Sequence, residues 1–163
     1  MSALIPNGCK TYNLVCAQDQ DGRVLLGRKT RGFGTGQLVM PGGKPTQTSW
    51  PVVQFPGFIA HDAARELNEE SGVDLAPRDM SYAGALYIGN PVERMVLLFR
   101  CAAGRQVPRD SEEVTSWNFY KEIPYDQTPE DYKIWLPSVL AGEQVIAHMA
   151  NSKNTLLTAT PAR

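Results

Sequence analysis

The 163-residue chain has no overall excess of positive charge, no long apolar run and no paired-cysteine motif, and each gap removes a class of protein. With 16 Lys+Arg against 17 Asp+Glu the formal net charge is -1, so no global basic field exists to hold duplex nucleic acid or an anionic membrane. Any anionic ligand must be met locally. The longest apolar runs, such as Val96–Phe99, are far too short to span a bilayer. The opening residues, MSALIPNGCK, contain no basic region followed by an apolar one and give no sign of export. Cys9, Cys16 and Cys101 are odd in number and form no CxxC, which argues against a disulfide scaffold and a zinc site. The expectation is a soluble protein of the reducing cytoplasm.

What is present is globular: 42% hydrophobic and 20% charged residues, in a length that suits one domain over residues 1–163. Thr11–Ala17 and Arg23–Gly27, either side of the turn signal Asp19–Gly22, predict a β-hairpin. The run RGFGTGQLVMPGGK, with five glycines in fourteen residues, predicts mostly loop around Leu38–Met40. Pro45, Pro51 and Pro56 mark an irregular excursion over about residues 45–56. From Phe58 to Ser71 there is no Gly or Pro, apolar residues recur at Ile59, Ala63 and Leu67, and Gly72 supplies a stop, so a helix is expected. Ser81–Ile88, Arg94–Ala102 and Val114–Tyr120 read as strands, with weaker candidates at Val145–Ala150 and Thr155–Thr160. A second helix is expected from about Pro129 or Glu130 to Leu140, with Thr128 as N-cap and Pro137 distorting its end. This is an α+β class, or an α/β/α sandwich if the helices cover both faces of a mixed sheet.

The segment RELNEESG places Glu66, Glu69 and Glu70 on the first helix at i, i+3 and i+4. On a helical wheel they fall within an arc of roughly 100°, beside Ala63 and Leu67 rather than opposite them. A solvated acidic face would sit opposite the apolar stripe, and like charges at these spacings repel by about 0.2–0.5 kcal/mol per pair. Arg65 can pair with Glu69 at i+4, relieving one charge and leaving two. Carboxylates crowded at the edge of a core need a counter-charge. All-oxygen ligands suit a hard divalent ion such as Mg²⁺, Mn²⁺ or Ca²⁺, and Mg²⁺ is usually completed by substrate phosphates. That points to a phosphorylated substrate.

With PGGK upstream, the residues Arg65, Glu66, Leu67, Glu69, Glu70, Gly72 and Val73 match in full the second half of the Nudix box, and the chain resembles the Nudix hydrolases. The family places thirteen residues between its box glycine and the arginine; here twenty-one separate Gly43 from Arg65, so eight are inserted and Gly57 stands where the family has its first glutamate. VLLGRKTRGFGTG, EEVTSWNFYKEIPYD, Glu130–Asp131 after a proline, and WLP at Trp135–Pro137 extend the resemblance toward the MutT-like, oxidised-purine nucleoside triphosphatase branch.

The resemblance implies a Nudix-type α/β/α sandwich and hydrolysis of a nucleoside triphosphate to monophosphate and pyrophosphate. It implies Glu66, Glu69 and Glu70 as ligands of Mg²⁺ or Mn²⁺, with the Gly43 carbonyl and Glu113 as further ligands, and Glu66 or Glu113 as general base. Lys44 would offset phosphate charge. Lys29, Phe33, Glu130 and Asp131 would line the base pocket, where the branch's asparagine is replaced by Val39 and where Asn13 can face the same space. The bland readings are a core anchor for Phe33, a solvated strand-end lysine for Lys29, first-turn helix acids for Glu130 and Asp131, and core packing for Trp117, Trp135, Cys16 and Cys101. His61 and His148 receive no role. The alternative function is a Nudix-fold nucleotide-binding or regulatory protein with weak or no turnover. Because three prolines with polar spacers complete neither a ladder nor a helix, deleting about eight residues of Pro45–Pro56 should leave a cooperatively folding protein with altered activity, as a thermal melt and a rate assay would show.

Overall fold

A computed structural model describes residues 8–44, 57–150 and 153–161. The chain order is β1 (Lys10–Asp19), β2 (Val24–Lys29), β3 (Leu38–Val39), β4 (Gly42–Gly43), α1 (Gly57–Ser71), β5 (Ser81–Ile88), β6 (Arg94–Gly104), β7 (Val114–Tyr120), α2 (Tyr132–Leu140), β8 (Glu143–Ala150) and β9 (Lys153–Pro161). The strands make one mixed sheet in the order β3-β2-β1-β6-β5-β8-β9, with β4 on β1 and β7 on β2. β1 runs parallel to β6 and β5 parallel to β8. Among the described residues no helix is long and apolar enough to cross a membrane. The expected excursion Pro45–Pro56, with Trp50 and Phe55, lies outside the described residues.

Alternation along β1 divides the interior into two cores, because successive side chains point to opposite faces. Val15 and Ala17 pack with Ala63, Ala64 and Leu67 of α1. Leu14 and Cys16 pack with Trp135, Leu136 and Val139 of α2. The two helices therefore cover opposite faces, and the architecture is the α/β/α sandwich. Cys16 and Cys101 are buried, and burial pushes both thiols up to about 12, which leaves them protonated packing groups.

α1 forms where the periodicity places it. Ala63 and Leu67 are wholly buried, and Gly72, at φ +76°, ends the helix with its N–H on the Asn68 carbonyl. α2 departs from expectation: it begins at Tyr132, and Thr128 does not cap it. The Thr128 hydroxyl donates to the carbonyls of Tyr125 and Pro129, and α2 starts three residues beyond it, with Asp131 at the N-cap position. The Tyr132 and Ile134 amides bond three residues back, to Pro129 and Asp131, so Pro129–Asp131 is a tight turn ahead of the helix. Pro137 lies inside α2, which runs three residues further before the Ala141 amide closes on the Pro137 carbonyl.

β1 and β2 pair at Gln18↔Val24 and then part. β4 fills in beside β1, with Asn13 opposite Gly43, while β3 fills in beside β2, with Gly27 opposite Val39. The ladder between β2 and β7 shifts register between Leu26 and Arg28, and Ser116 takes a positive φ of 55° there. This bulge lays the Trp117 ring over Gly27, where a Cβ would stand 2.6 Å from two ring atoms and 2.5 Å from Val114. Gly27→Ala should therefore destabilise the fold by roughly 1–3 kcal/mol, the cost of overpacking a close-packed core, as chemical denaturation would measure.

Candidate active site

One flank of α1 carries the acids, and its position at the edge of the core sets their chemistry. Asp62 and Glu70 are buried, Glu66 is half-buried and Glu69 is exposed. Arg65 neutralises more of this charge than the i+4 spacing alone predicts. Its Nη1 donates to Glu69 at 2.8 Å, and its Nη2 donates to Glu66 at 2.8 Å and reaches Asp62 at 3.5 Å and the Lys44 carbonyl at 3.4 Å. The expectation that Arg65 leaves two glutamates unpaired is corrected: the planar guanidinium fork serves Glu66 as well as Glu69, and only Glu70 is left.

Glu70 accepts one neutral bond, from the Gly42 amide at 3.2 Å. Burial raises its pKa to about 7; the Gly42 bond and the charge of Lys29 pull it down, while Glu66 and Glu113 push it up. Burial likewise raises the Glu66 carboxyl, against the lowering effect of Arg65. The helix end that holds Glu70 is fixed by Trp117, whose indole N–H donates to the Glu70 carbonyl at 2.8 Å. Gly43 lies against Glu66 so closely that a Cβ there would stand 2.6 Å from the carboxyl carbon. Any other residue at 43 would push the Glu66 carboxyl out of this position.

Among the described residues no three acids or histidines converge on one point. Arg65 holds Glu66 and Glu69, the Gly42 amide holds Glu70, and Arg31 holds Glu113 at 3.0 Å. The donor set nevertheless fits a hard divalent cation: it is all oxygen, Glu70 is desolvated with a single neutral donor, and Gly43 leaves open the space beside Glu66 that any side chain would fill.

The residues expected in a base pocket lie on two sides of the parted strands. Asn13 is 1% exposed, and neither its amide nitrogen nor its oxygen has a hydrogen-bond partner among the described residues. It shares its face of β1 with Val15 and sits opposite Gly43, on the α1 side. Lys29 is half-buried and lies within electrostatic reach of Glu70. Val39 packs on the α1-side core. Phe33 is 90% exposed, which excludes the core-anchor reading, with the Arg94 guanidinium 5.9 Å from its ring centre. The segment bearing Glu130 and Asp131 is tied to β3 by the Leu38 amide on the Gln127 carbonyl and the Met40 amide on the Tyr132 hydroxyl. Asp131 accepts from the Trp135 indole at 2.7 Å, and burial raises its carboxyl despite that bond.

Lys44 is not brought to the acids. Its Nζ lies 5.8 Å from the ring centre of Tyr12, a residue packed on the α2-side core. His61 is exposed, and the His148 ring contacts the Gly89 carbonyl at 2.8 Å, so neither joins the site. Sequence reasoning missed Arg31, Asp62 and Gly42. A lone arginine in a glycine-rich loop, an acid one turn before the glutamates and one of two adjacent glycines carry no local signal of their partners.

No family model matches the chain. A mouse (Mus musculus) protein named oxidized purine nucleoside triphosphate hydrolase is 32% identical over 141 residues, covering 85% of each chain. The zebrafish (Danio rerio) protein of the same name is 34% identical over 133 residues, covering 79% of each. The crystal structure of a NUDIX hydrolase from Nitrosomonas europaea superposes with a TM-score of 0.64 at 15% identity, over 91% of this chain and 81% of that one. The fold and the acid-bearing helix thus define a hydrolase class built on a split mixed sheet. The chain belongs to the Nudix hydrolase family, in the branch of the oxidised-purine nucleoside triphosphate hydrolases.

Glu70 makes stability depend on pH in a stated direction. Its folded pKa of about 7 lies above the ordinary 4.5, so the unfolded chain sheds this proton first. Folding stability falls as pH rises from about 4.5 to about 7 and levels off above, by an amount on the order of 3 kcal/mol. In chelator-treated buffer, Glu70→Gln should be more stable than wild type at pH 8 and equal to it at pH 4, as paired urea titrations would show. An equal difference at both values would remove the assignment.

Proposed function

We propose that the chain is a Mg²⁺-dependent pyrophosphohydrolase that cleaves a purine nucleoside triphosphate to the monophosphate and pyrophosphate. The observation that carries this reading is the buried Glu70 carboxylate, held by a single amide beside Glu66 and the open backbone of Gly43. A carboxylate so placed costs stability unless a cation joins it. When bound, a divalent ion neutralises phosphate oxygens and makes a bound water more acidic. Glu66, Glu69, Glu70, Glu113 and the Gly43 carbonyl would hold it. In such displacements positioning and charge neutralisation carry most of the catalysis. Glu66 and Glu113 are the candidates to take the proton of the attacking water, since both carry charge within reach of the buried acid.

Asn13, Lys29, Phe33, Glu130 and Asp131 would receive the base. The unpartnered Asn13 amide supports this, because an unsatisfied buried amide costs roughly 1–3 kcal/mol and a base edge would satisfy it. Val39 cannot donate or accept from its side chain, so the site should prefer purines while separating oxidised from normal guanine only weakly. Lys44 would have to turn from Tyr12 to reach phosphate. One observation favours a second reading, that of a nucleotide-binding or regulatory protein with little turnover: Gly57, at the start of α1, stands where the resemblance puts a loop-bracing glutamate.

A nucleotide panel assayed with Mg²⁺, reading pyrophosphate and phosphate release separately, decides between the two. Turnover with pyrophosphate release is expected, and Glu70→Gln should lower it by roughly two orders of magnitude or more without lowering the melting temperature. Wild-type turnover in that variant would overturn the cation reading. Across 8-oxo-dGTP, dGTP, dATP and dCTP, purines should lead, Asp131→Asn should slow them, and Val39→Asn should sharpen the choice of 8-oxo-dGTP. A strong preference for 8-oxo-dGTP in the wild type would sink the relaxed-specificity prediction.

A further inference from the structure

The loop that carries Phe33 is stitched to the loop that carries Glu113. The Thr30 amide donates to the Glu113 carbonyl and the Thr30 hydroxyl to the Glu112 carbonyl, both at 2.8 Å, which prolongs the β2–β7 ladder one step past Lys29↔Val114. Arg31 follows, and its Nη2 donates to Glu113 Oε1 at 3.0 Å, with Glu112 Oε2 at 3.9 Å. Gly32, with a φ of +78°, turns the chain directly after it. The Arg31 side chain is thus aimed by backbone bonds on one side and a glycine turn on the other.

Glu113 stands close enough to α1 for its charge to be felt at both Glu66 and Glu70. Its hydrogen bond, however, points the other way, to Arg31. The α1 glutamates Glu66 and Glu69 use a different arginine, Arg65, whereas Glu113 is ion-paired to an arginine from outside the helix. We propose that Arg31 is a positioning residue of the hydrolytic site: it parks the Glu113 carboxylate outside the glutamate cluster and surrenders it when a divalent cation binds at α1. This rests on the cation reading given above.

The exposure of the pair suits such an exchange. Arg31 is 60% and Glu113 46% exposed, and ion pairs in that setting are held weakly. A buried pair would hold the acid against any cation. Guanidinium and cation then compete for one carboxylate, so removing the guanidinium must tighten cation binding.

The test is Mn²⁺ binding to the intact protein, read from the electron paramagnetic resonance signal of free Mn²⁺. Arg31→Ala should bind Mn²⁺ more tightly by roughly two- to five-fold, the range expected for loss of an exposed ion pair. Arg31→Lys should return toward wild type, and Glu113→Gln should bind more weakly. In the Glu113→Gln background, Arg31→Ala should have no further effect, since a double-mutant cycle isolates the coupling between the two side chains. A merely structural role for Arg31 would not tighten binding or vanish in that background. Unchanged or weaker binding in Arg31→Ala, or an equal effect with and without the Glu113 carboxylate, would overturn the proposal while leaving the functional reading standing. Failure of the wild type to bind Mn²⁺ at all would overturn both.

Discussion

Negative charge pressed against the edge of a hydrophobic core is the constraint on which the rest of this molecule depends. Asp62, Glu66, Glu69 and Glu70 line one flank of a single helix, and Glu113 adds its charge from a loop. The four glutamates are held by three means: a guanidinium fork for Glu66 and Glu69, one backbone amide for Glu70, and an exposed arginine for Glu113. Ordinary surface acids need none of this, because water solvates them. Here the flank faces Gly42, Gly43 and Trp117, so the protein must supply the partners itself.

The parting of β1 from β2 is what makes room for that arrangement. Continuous pairing along both strands would close the sheet where β4 now lies and leave the carboxylates facing a filled ladder. Instead Gly43 pairs with Asn13 and presents bare backbone to Glu66. On the other side, Gly27 accepts the Trp117 ring, and the ring's N–H fixes the Glu70 carbonyl. Two glycines in different strands therefore admit close approaches beside one helix, Gly43 to the Glu66 carboxyl and Gly27 to the ring that holds the Glu70 main-chain carbonyl.

Asn13 and Val39 show how the proposed base side of the site differs in character from the acid side. The acids are over-supplied with charge and under-supplied with donors. The base side has a buried amide without partners, an aliphatic side chain opposite Gly27, and an aromatic ring standing in solvent. These groups can recognise the shape and edge of a planar ligand, yet they give few directed bonds with which to tell one purine from another.

Local patterns determined the elements, because helix and strand periods and glycine stops depend on neighbours in the chain. The limits of β5 and β7, the end of α1 and the family of the chain were legible from Ser81–Ile88, Val114–Tyr120 and RELNEESG. The start of α2 was not, because Pro129–Asp131 fold into a tight turn, with the Tyr132 amide on the Pro129 carbonyl, and the helix begins beyond it. Nor could spacing show that Arg65 would serve Glu66, that Lys44 would turn to Tyr12, or that Glu113 would bond to Arg31, 82 residues away in sequence. Spacing along one helix decides which carboxylates share a flank. Which of them keeps its proton, and which finds a cation, depends on desolvation and on charges brought in from β4, β7 and the glycine-rich loop, and only the folded chain brings these together.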